Sequence, residues 1–243
     1  MLNKNETFYL DGVDARSVGI HLQAPLSFSI AVPIAEEQSI PGRNGDLIWE
    51  TGSYENRSGS ASCLCLQKDV EKAVSSAGRF LMGKKGYRRL ETSDDPDHYW
   101  MARVENSPQI EMRLKTLAPF KIGFDCKPQR FVKAGENSVV FTESVSLFNP
   151  YGQVALPLIF LKGSIGANSS GWFKIGDCKV DIWWLDNAGL YLDSDTQNAY
   201  NENGNQNLNI NAPNFPVLNN GENQISWSSN IASVEIIPRW WEL

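Results

Sequence analysis

Two neighbouring segments of the chain alternate strictly between apolar and polar residues. They are residues 109–115 and residues 120–126. A period of two residues is typical of a β-strand with one buried face and one wet face. We therefore predict two adjacent strands, a turn between them at residues 116–119, and a mainly β fold.

One segment has helical periodicity instead. Apolar residues recur at spacings of three and four from Val70 to Leu81, which is the pattern of an amphipathic helix. Asp69 can accept hydrogen bonds from the free N–H groups at its start, and Gly83 can end it. We predict one α-helix at about 68–82, packed on a sheet.

Turn signals and prolines mark hairpins in the first 50 residues. Asp11-Gly12 favours a two-residue hairpin, and Asn44-Gly45 gives the same signal before the apolar residues 47–49. Residues 24–49 contain three prolines and an apolar stretch and have no helical period. We predict that this stretch forms an extended arm.

The length of 243 residues is enough for two domains. The sequence pattern changes near residues 128–137. After this point short β-like runs follow and no convincing helix is found. We predict an N-terminal β-sandwich or split-barrel domain at 1–133, which carries the helix and the arm. A β-sandwich or barrel follows at 134–243.

The charge and hydropathy patterns do not favour nucleic-acid or membrane partners. The net charge is -6 and no long basic run stands out, so binding to a phosphate backbone is not expected. The most apolar early run, residues 24–35, is broken by two prolines and is too short to cross a bilayer as a helix. No secretory signal is visible at the N-terminus, and no membrane insertion is expected.

The cysteines do not have the spacing of a zinc site. None of the four belongs to a C-x-x-C pair. Three of them lie in apolar, strand-like runs, so buried free thiols in a reducing compartment are expected. We predict neither a metal nor a cofactor; the cysteines are Cys63, Cys65, Cys126 and Cys178.

Candidate catalytic segments are few. Residues 78–84 match most of a phosphate-binding P-loop, but Lys85 stands where Ser or Thr would hold the metal ion, and the match lies in and after the predicted helix. The Asp-rich residues 94–98 and 193–195 could ligate a metal, although turn chemistry also explains them. With two histidines and no nucleophile motif, no catalytic residue is predicted and the chain is not expected to be an enzyme.

Aromatic residues crowd the second half of the chain. Trp172, Trp183 and Tyr191 are candidate contacts for a sugar or a protein partner, because aromatic faces stack on sugar rings and also pack in interfaces. In the alternation of residues 178–184, Trp183 shares its face with polar residues and is predicted to be exposed. Trp184 falls on the apolar face.

An ordered set of short segments spans almost the whole chain. In the N-terminal half they are Ile40-Pro-Gly-Arg-Asn-Gly-Asp46, Thr51-Gly-Ser-Tyr54, Phe80-Leu-Met-Gly83, Asp94-Asp-Pro-Asp97 and Phe120-Lys-Ile-Gly-Phe-Asp-Cys-Lys-Pro128. In the C-terminal half they are Asn149-Pro150, Ala155-Leu-Pro157, Leu192-Asp-Ser194, Phe215-Pro-Val-Leu218 and Pro238-Arg-Trp-Trp241. Together they resemble the distal tail protein family of long-tailed bacteriophages that infect Gram-positive hosts.

This resemblance implies a structural hub at the tip of a bacteriophage tail. The N-terminal domain would form a homo-hexameric ring that joins the tail tube protein to the tail-associated fibre or lysin protein. The C-terminal domain would be galectin-like and could carry a receptor-binding protein or contact a host glycan. The protein would be made in the bacterial host cytoplasm and would reside in the virion tail tip.

The resemblance also draws attention to one motif in the predicted arm. We expect the arm to contact the adjacent subunit, since a ring needs sheet edges or extended arms to bridge its neighbours. Two other functions stay open: a carbohydrate-binding module for host cell-wall glycans, and a glycan-processing enzyme with two carboxylates about 5–10 Å apart. The motif residues are Pro41, Gly42, Arg43, Asn44, Gly45 and Asp46.

Overall fold

The computed structural model of the chain describes residues 6–66, 70–105, 117–166 and 168–243. The chain divides into two compact units, unit 1 with Met1–Arg130 and Leu243, and unit 2 with Phe131–Glu242. Strands dominate both units, so the predicted mainly β class is confirmed. The functions assigned to residues 1–133 and 134–243 remain predictions.

Unit 1 is built on one large antiparallel sheet. In space its strands follow the order β2-β1-β8-β9-β10-β7-β3, and β4 also pairs with β7. Strands β5 and β6 pair only with each other among the described residues. The elements are β1 (Phe8–Leu10), β2 (Val13–Asp14), a 3-10 turn (Ala15–Val18), β3 (Ile20–Leu22), β4 (Ser27–Phe28), β5 (Pro33–Gln38), β6 (Leu47–Tyr54), β7 (Arg57–Leu66), α1 (Val70–Met82), β8 (Arg88–Thr92), β9 (His98–Val104) and β10 (Leu117–Val132).

The pairing of β7 with β10 forms the centre of the unit 1 core. The register runs from Leu117 opposite Leu66 to Cys126 opposite Arg57. The apolar side chains of residues 120–126 are buried and Lys121 between them is exposed. The alternation predicted for this segment is therefore confirmed, whereas residues 109–115 lie outside the described residues.

The turn predicted at 116–119 is wrong for residues 117–119. These residues belong to β10, and Pro119 lies opposite Leu64. Proline usually marks a turn, but a strand accepts it where no ladder hydrogen bond needs its missing N–H. Pairing with β7, which is distant in sequence, decides the local conformation here.

The single α-helix found in the described residues packs on this sheet. It spans Val70–Met82, so the helix predicted at about 68–82 is confirmed over these residues. Asp69, predicted to accept hydrogen bonds at its start, lies outside the described residues. Ala77 and Leu81 are buried in the core, as the apolar periodicity requires. The helix ends at Met82, and the N–H of Gly83 still donates to the carbonyl of Arg79, four residues earlier, at 2.9 Å.

The first hairpin forms where the sequence predicts it. Asp11 has a φ of 51° and Gly12 a φ of 77°. Positive φ at both central residues matches the right-handed twist of two paired strands, which is why Asp-Gly is favoured there. The Asp11 side chain is thereby fixed close to the C-terminal end of α1, where its Oδ2 accepts from Lys84 Nζ at 2.9 Å.

Unit 2 is a sandwich of two antiparallel sheets, as predicted. The sheet orders are β11-β21-β13-β16-β17-β18 and β12-β20-β14-β15-β19. Alternate residues of both sheets are buried in one core that includes Ile159, Phe173 and Val180. The strands of these two sheets are β11 (Val139–Phe141), β12 (Val145–Asn149), β13 (Leu158–Gly163), β14 (Gly171–Ile175), β15 (Cys178–Ile182), β16 (Leu190–Asp193), β17 (Asn198–Asn201), β18 (Gly204–Asn205), β19 (Ile210–Asn211), β20 (Gly221–Trp227) and β21 (Ile231–Ile237). The short strand β22 (Trp241–Glu242) belongs to neither sheet.

Candidate functional site

The arm predicted at residues 24–49 is wrong at its start, because Ser27–Phe28 form β4, which pairs with β7 in the main sheet. The arm itself is the two-stranded hairpin of β5 and β6, residues 33–54. In its register Glu36 lies opposite Trp49, and Glu37 lies opposite Ile48. Opposite residues of an antiparallel pair point to the same side, so Trp49 and Ile48 are on different faces. Every residue of the two strands is exposed except Tyr54, which is half-buried. Neither face of the hairpin is therefore covered.

The arm exposes large apolar side chains. Trp49 is 70% exposed and Ile48 is 61% exposed, and Ile34, Ile40 and Leu47 are exposed as well. Single exposed apolar residues are normal on a protein surface, but five large ones on one short hairpin favour an interaction site. The arm is therefore the candidate functional site of unit 1.

Hydrogen bonds hold the base of the arm on the sheet. The N–H of Glu55 donates to the carbonyl of Val32 at 2.9 Å. Arg57 Nε donates to the carbonyl of Ser29 at 2.7 Å, and the N–H of Ser29 donates to the carbonyl of Ser58 at 2.8 Å. These contacts fix both ends of the hairpin where the chain enters and leaves it.

The motif Pro41–Asp46 forms the loop between β5 and β6. The N–H of Arg43 donates to the carbonyl of Ile40 at 3.1 Å and closes a turn. Gly42 and Gly45 have φ values of 84° and 80°, which side chains disfavour, so both glycines are needed for this loop shape. The structure gives this motif a turn-forming role, and its contact with a neighbouring subunit stays a prediction.

The Asp-rich segment 94–98 forms an ion-paired network. Asp95 accepts from Arg130 Nη2 at 2.6 Å, and His98 Nδ1 lies 2.6 Å from the other carboxylate oxygen. Burial alone would raise the pKa of Asp95, but the hydrogen bonds from His98 and Arg130 outweigh it and hold the pKa below its usual value. The segment therefore joins β9 to β10 through charges.

The second Asp-rich segment has a similar structural role in unit 2. Asp193 accepts from Arg239 Nη1 at 2.6 Å and from the N–H of Asp195 at 3.1 Å. Burial opposes ionisation of Asp193, yet the contacts with Arg239 lower its pKa. Among the described residues, no group of three or more His, Cys, Asp or Glu side chains could hold a metal ion.

All four cysteines are free thiols. Cys63, Cys65 and Cys126 are buried and Cys178 is half-buried. Burial raises the pKa of Cys63 and of Cys126 to about 12, so neither is a thiolate at neutral pH.

The described part of the chain contains no helix long and apolar enough to cross a membrane.

Two tryptophans of unit 2 protrude beyond the end of β15. Trp183 and Trp184 are both about half exposed, and the N–H of Trp183 donates to the carbonyl of Asn209 at 2.8 Å. The exposure predicted for Trp183 is confirmed, but the placement of Trp184 on the apolar face is wrong. Strand β15 ends at Ile182, so its alternation does not extend to Trp184.

Trp172 and Tyr191 lie on different sheets of the sandwich. Tyr191 is stacked between Phe160 and Tyr200, with ring centroids 4.3 Å and 5.2 Å away. Both faces of the Tyr191 ring are thus covered, and a partner could reach only its edge. Trp172 is half-buried on β14. The structure does not bring Trp172, Trp183 and Tyr191 together on one strand, and their contact with a ligand remains a prediction.

Sequence reasoning overlooked a basic segment in unit 1. Residues 79–89 contain five basic side chains and no acidic one. Arg79, Lys84 and Lys85 are exposed, whereas Arg88 is buried. The excess of basic residues was visible in the sequence. Whether these residues form one surface depends on the fold, because α1 ends within this segment and the first hairpin lies beside it.

No protein-family model matches this sequence, and no curated protein matches it significantly. Solved structures do match. The crystal structure of SPP1 Dit, described as a paradigm of the hub adsorption apparatus in phages infecting Gram-positive bacteria, aligns over 96% of this chain and 98% of its own. The TM-score is 0.76 and the sequence identity is 15%.

The phage P2 baseplate in its activated conformation is also similar. With calcium, the match has a TM-score of 0.55 and 9% identity over 95% of this chain and 96% of that chain. With strontium, the TM-score is again 0.55, with 10% identity over the same shares of the two chains. At these identities the likeness concerns the fold. The resemblance drawn from the sequence is thus confirmed at that level: over nearly its whole length this chain has the fold of the SPP1 Dit protein.

Proposed function

We propose that this protein is a structural hub of a bacteriophage tail tip and that it acts by assembly. The fold supports this, since it is shared with a phage hub protein and with a chain of a phage baseplate. The described residues also offer no metal-binding cluster, and the two Asp-rich segments are engaged in ion pairs. These features fit a protein whose surfaces, rather than a reactive centre, carry the activity.

The arm is the observation that carries this proposal. Burying an exposed Ile or Trp side chain contributes about 1.5–3 kcal/mol, and the arm offers both Ile48 and Trp49 on opposite faces. A neighbouring copy that covers the hairpin gains this energy at each contact. When such a head-to-tail contact closes, it forms a ring.

The finer features follow the distal tail protein resemblance. Unit 1 forms a homo-hexameric ring between the tail tube protein and the tail-associated fibre or lysin protein. Unit 2 is the part that can carry a receptor-binding protein. The protein therefore functions in the virion tail tip after synthesis in the bacterial host cytoplasm.

Sedimentation velocity and negative-stain images of the full chain test the assembly. We expect concentration-dependent rings of six copies for the native protein and monomers for Ile48→Glu, because a charge on the arm opposes burial. Val140→Glu is the matched control: Val140 is 58% exposed on β11 of unit 2, close to the 61% of Ile48. A native protein that stays monomeric at about 100 μM, far above a typical micromolar Kd, would contradict the proposal. So would rings unaffected by Ile48→Glu.

A second candidate function is glycan binding by unit 2. It is favoured by the two exposed tryptophans beside Asn209, because indole rings stack on sugars and amides bind hydroxyls. Titration with purified host wall polysaccharide, followed by tryptophan fluorescence, tests it. Binding that Trp183→Ala abolishes would support this function, and unchanged fluorescence at saturating polysaccharide would exclude it.

A further inference from the structure

The arm is acidic as well as apolar. Residues 33–54 contain Glu36, Glu37, Asp46 and Glu50 against the single basic residue Arg43, which gives a net charge of −3. All five are exposed. Glu37 shares one face of the hairpin with Ile48, and Glu36 shares the other with Trp49. Each face therefore presents an apolar side chain beside a carboxylate.

The basic segment of unit 1, residues 79–89, has the opposite charge to the arm. Like the arm, it also exposes a large apolar side chain. Arg79, Lys84 and Lys85 are exposed around Met82, which is 48% exposed at the C-terminal end of α1. Among the described residues neither Arg79 nor Lys85 has an ion-pair partner. This end of α1 thus combines three cations with a large apolar side chain.

A second apolar side chain extends this surface. Asp11 accepts from Lys84 Nζ and from Arg88 Nε, each at 2.9 Å, and Arg88 Nη1 donates to the carbonyl of Phe80 at 2.6 Å. These bonds hold the β1–β2 turn against the end of α1. Val13 follows two residues later and is 47% exposed. We call the surface formed by Val13, Arg79, Met82, Lys84 and Lys85 the basic patch.

We propose that the basic patch of one copy receives the arm of a second copy. This inference rests on the proposed function, and it identifies the surface that the arm covers. Apolar side chains on both sides supply the contact, and the net charge of −3 on the arm faces the cations of the patch. Arm and patch are different surfaces of unit 1, so the contact is head-to-tail and can repeat around a ring.

The charges predict how this contact responds to salt. Complementary charges at an interface steer association and select the correct partner, and salt screens them within about 8–10 Å. We therefore expect the association of native copies to weaken as sodium chloride rises from about 50 mM to about 500 mM. A contact held by apolar residues alone would not weaken under the same change.

Charge reversal and charge exchange test the assignment by sedimentation velocity. Arg79→Glu with Lys85→Glu should weaken self-association about tenfold or more, and Glu37→Lys with Glu50→Lys should do the same. A chain that carries all four substitutions should recover association to within a few-fold of the native value. Lys121→Glu is the matched control, since it reverses an exposed cation on β10 outside the patch. Circular dichroism checks that each variant folds.

The possible results separate this inference from the proposed function. If Ile48→Glu abolishes association while Arg79→Glu with Lys85→Glu leaves it unchanged, the hub proposal stands and the basic patch is not the receiving surface. Recovery by the four-fold variant supports the patch, and no recovery overturns it. If native copies never associate, both the hub proposal and this inference fail.

Discussion

Two antiparallel strand pairs of unit 1 differ in what covers them. The β7–β10 pair has an inner face on which Phe120, Ile122 and Phe124 are buried. The β5–β6 pair also carries large apolar side chains, Ile48 and Trp49 among them, yet it buries none of its residues fully. The two strands of each pair are hydrogen-bonded to each other, but β7 and β10 also pair with further strands, whereas β5 and β6 do not among the described residues. The two pairs therefore differ in what covers their side chains and in what borders their edges.

This difference teaches how a fold separates stability from function. An apolar strand pair that is covered within its own unit contributes to the stability of that unit. A pair that is left uncovered contributes little to it and is available to another molecule. Substitutions in the covered pair should therefore change the stability of unit 1, and substitutions in the uncovered pair should change its association with other molecules.

The largest expected effect is a loss of stability in the covered pair. Phe124→Ala removes a fully buried ring from the unit 1 core and leaves a cavity, so the free energy of unfolding of unit 1 should fall by about 3–5 kcal/mol. Urea unfolding followed by circular dichroism measures it. A change under about 1 kcal/mol would mean that this pair is not the centre of the core.

An intermediate effect is expected at the charge network that joins β9 to β10. Asp95→Asn should lower the free energy of unfolding by about 1–3 kcal/mol at pH 7, because Arg130 and His98 lose their charged acceptor. The folded-state pKa of Asp95 is depressed, so its contribution is present above the usual Asp pKa of about 3.9. It is lost as the pH falls through the folded-state pKa.

Urea titrations of the native protein and Asp95→Asn at pH 7 and at acid pH measure this dependence. The native protein should lose more stability than the variant as the pH falls below about 4. Glu143→Gln is a control, since Glu143 is exposed on unit 2 and no contact is seen for it among the described residues. Equal losses in the native protein and Asp95→Asn would show that the network does not stabilise unit 1.

The smallest expected effect is in the uncovered pair. Trp49→Ser should change the free energy of unfolding of the monomer by less than about 0.5 kcal/mol, since the ring is 70% exposed. The same substitution should weaken self-association. Urea unfolding at a dilution where copies are separate measures the first effect. A loss above about 2 kcal/mol there would mean that the arm is part of the fold of its own unit.

Local patterns in the sequence predicted the elements whose side chains repeat regularly. The period of two in residues 120–126 placed part of β10, and the period of 3.6 placed α1. The Asp11-Gly12 turn was also predictable, because only a few residue types accept positive φ at both positions. In these cases the information lies within a few residues of the element.

Features that depend on distant partners were not predictable in this way. Residues 117–119 resemble a turn until their pairing with β7 is known. The exposure of Trp184 depends on where β15 ends, and β15 pairs with the two-residue strand β19. The basic patch required the bond between Asp11 and Lys84, which are 73 residues apart. The motif Pro41–Asp46 was identified from a resemblance to a protein family. The loop conformation explains why it contains two glycines, but it does not identify a partner for the motif.

The thiol pattern has a practical consequence for imaging. Cys63, Cys65 and Cys126 are buried in unit 1, whereas Cys178 in unit 2 is half-buried and donates to the carbonyl of Asn214 at 3.2 Å. Burial also raises the pKa of Cys178, so its alkylation at neutral pH should be slower than that of an exposed thiol. A maleimide-linked gold cluster or dye would then mark unit 2 selectively in the native chain. Electron micrographs of labelled particles could locate that unit without an engineered cysteine.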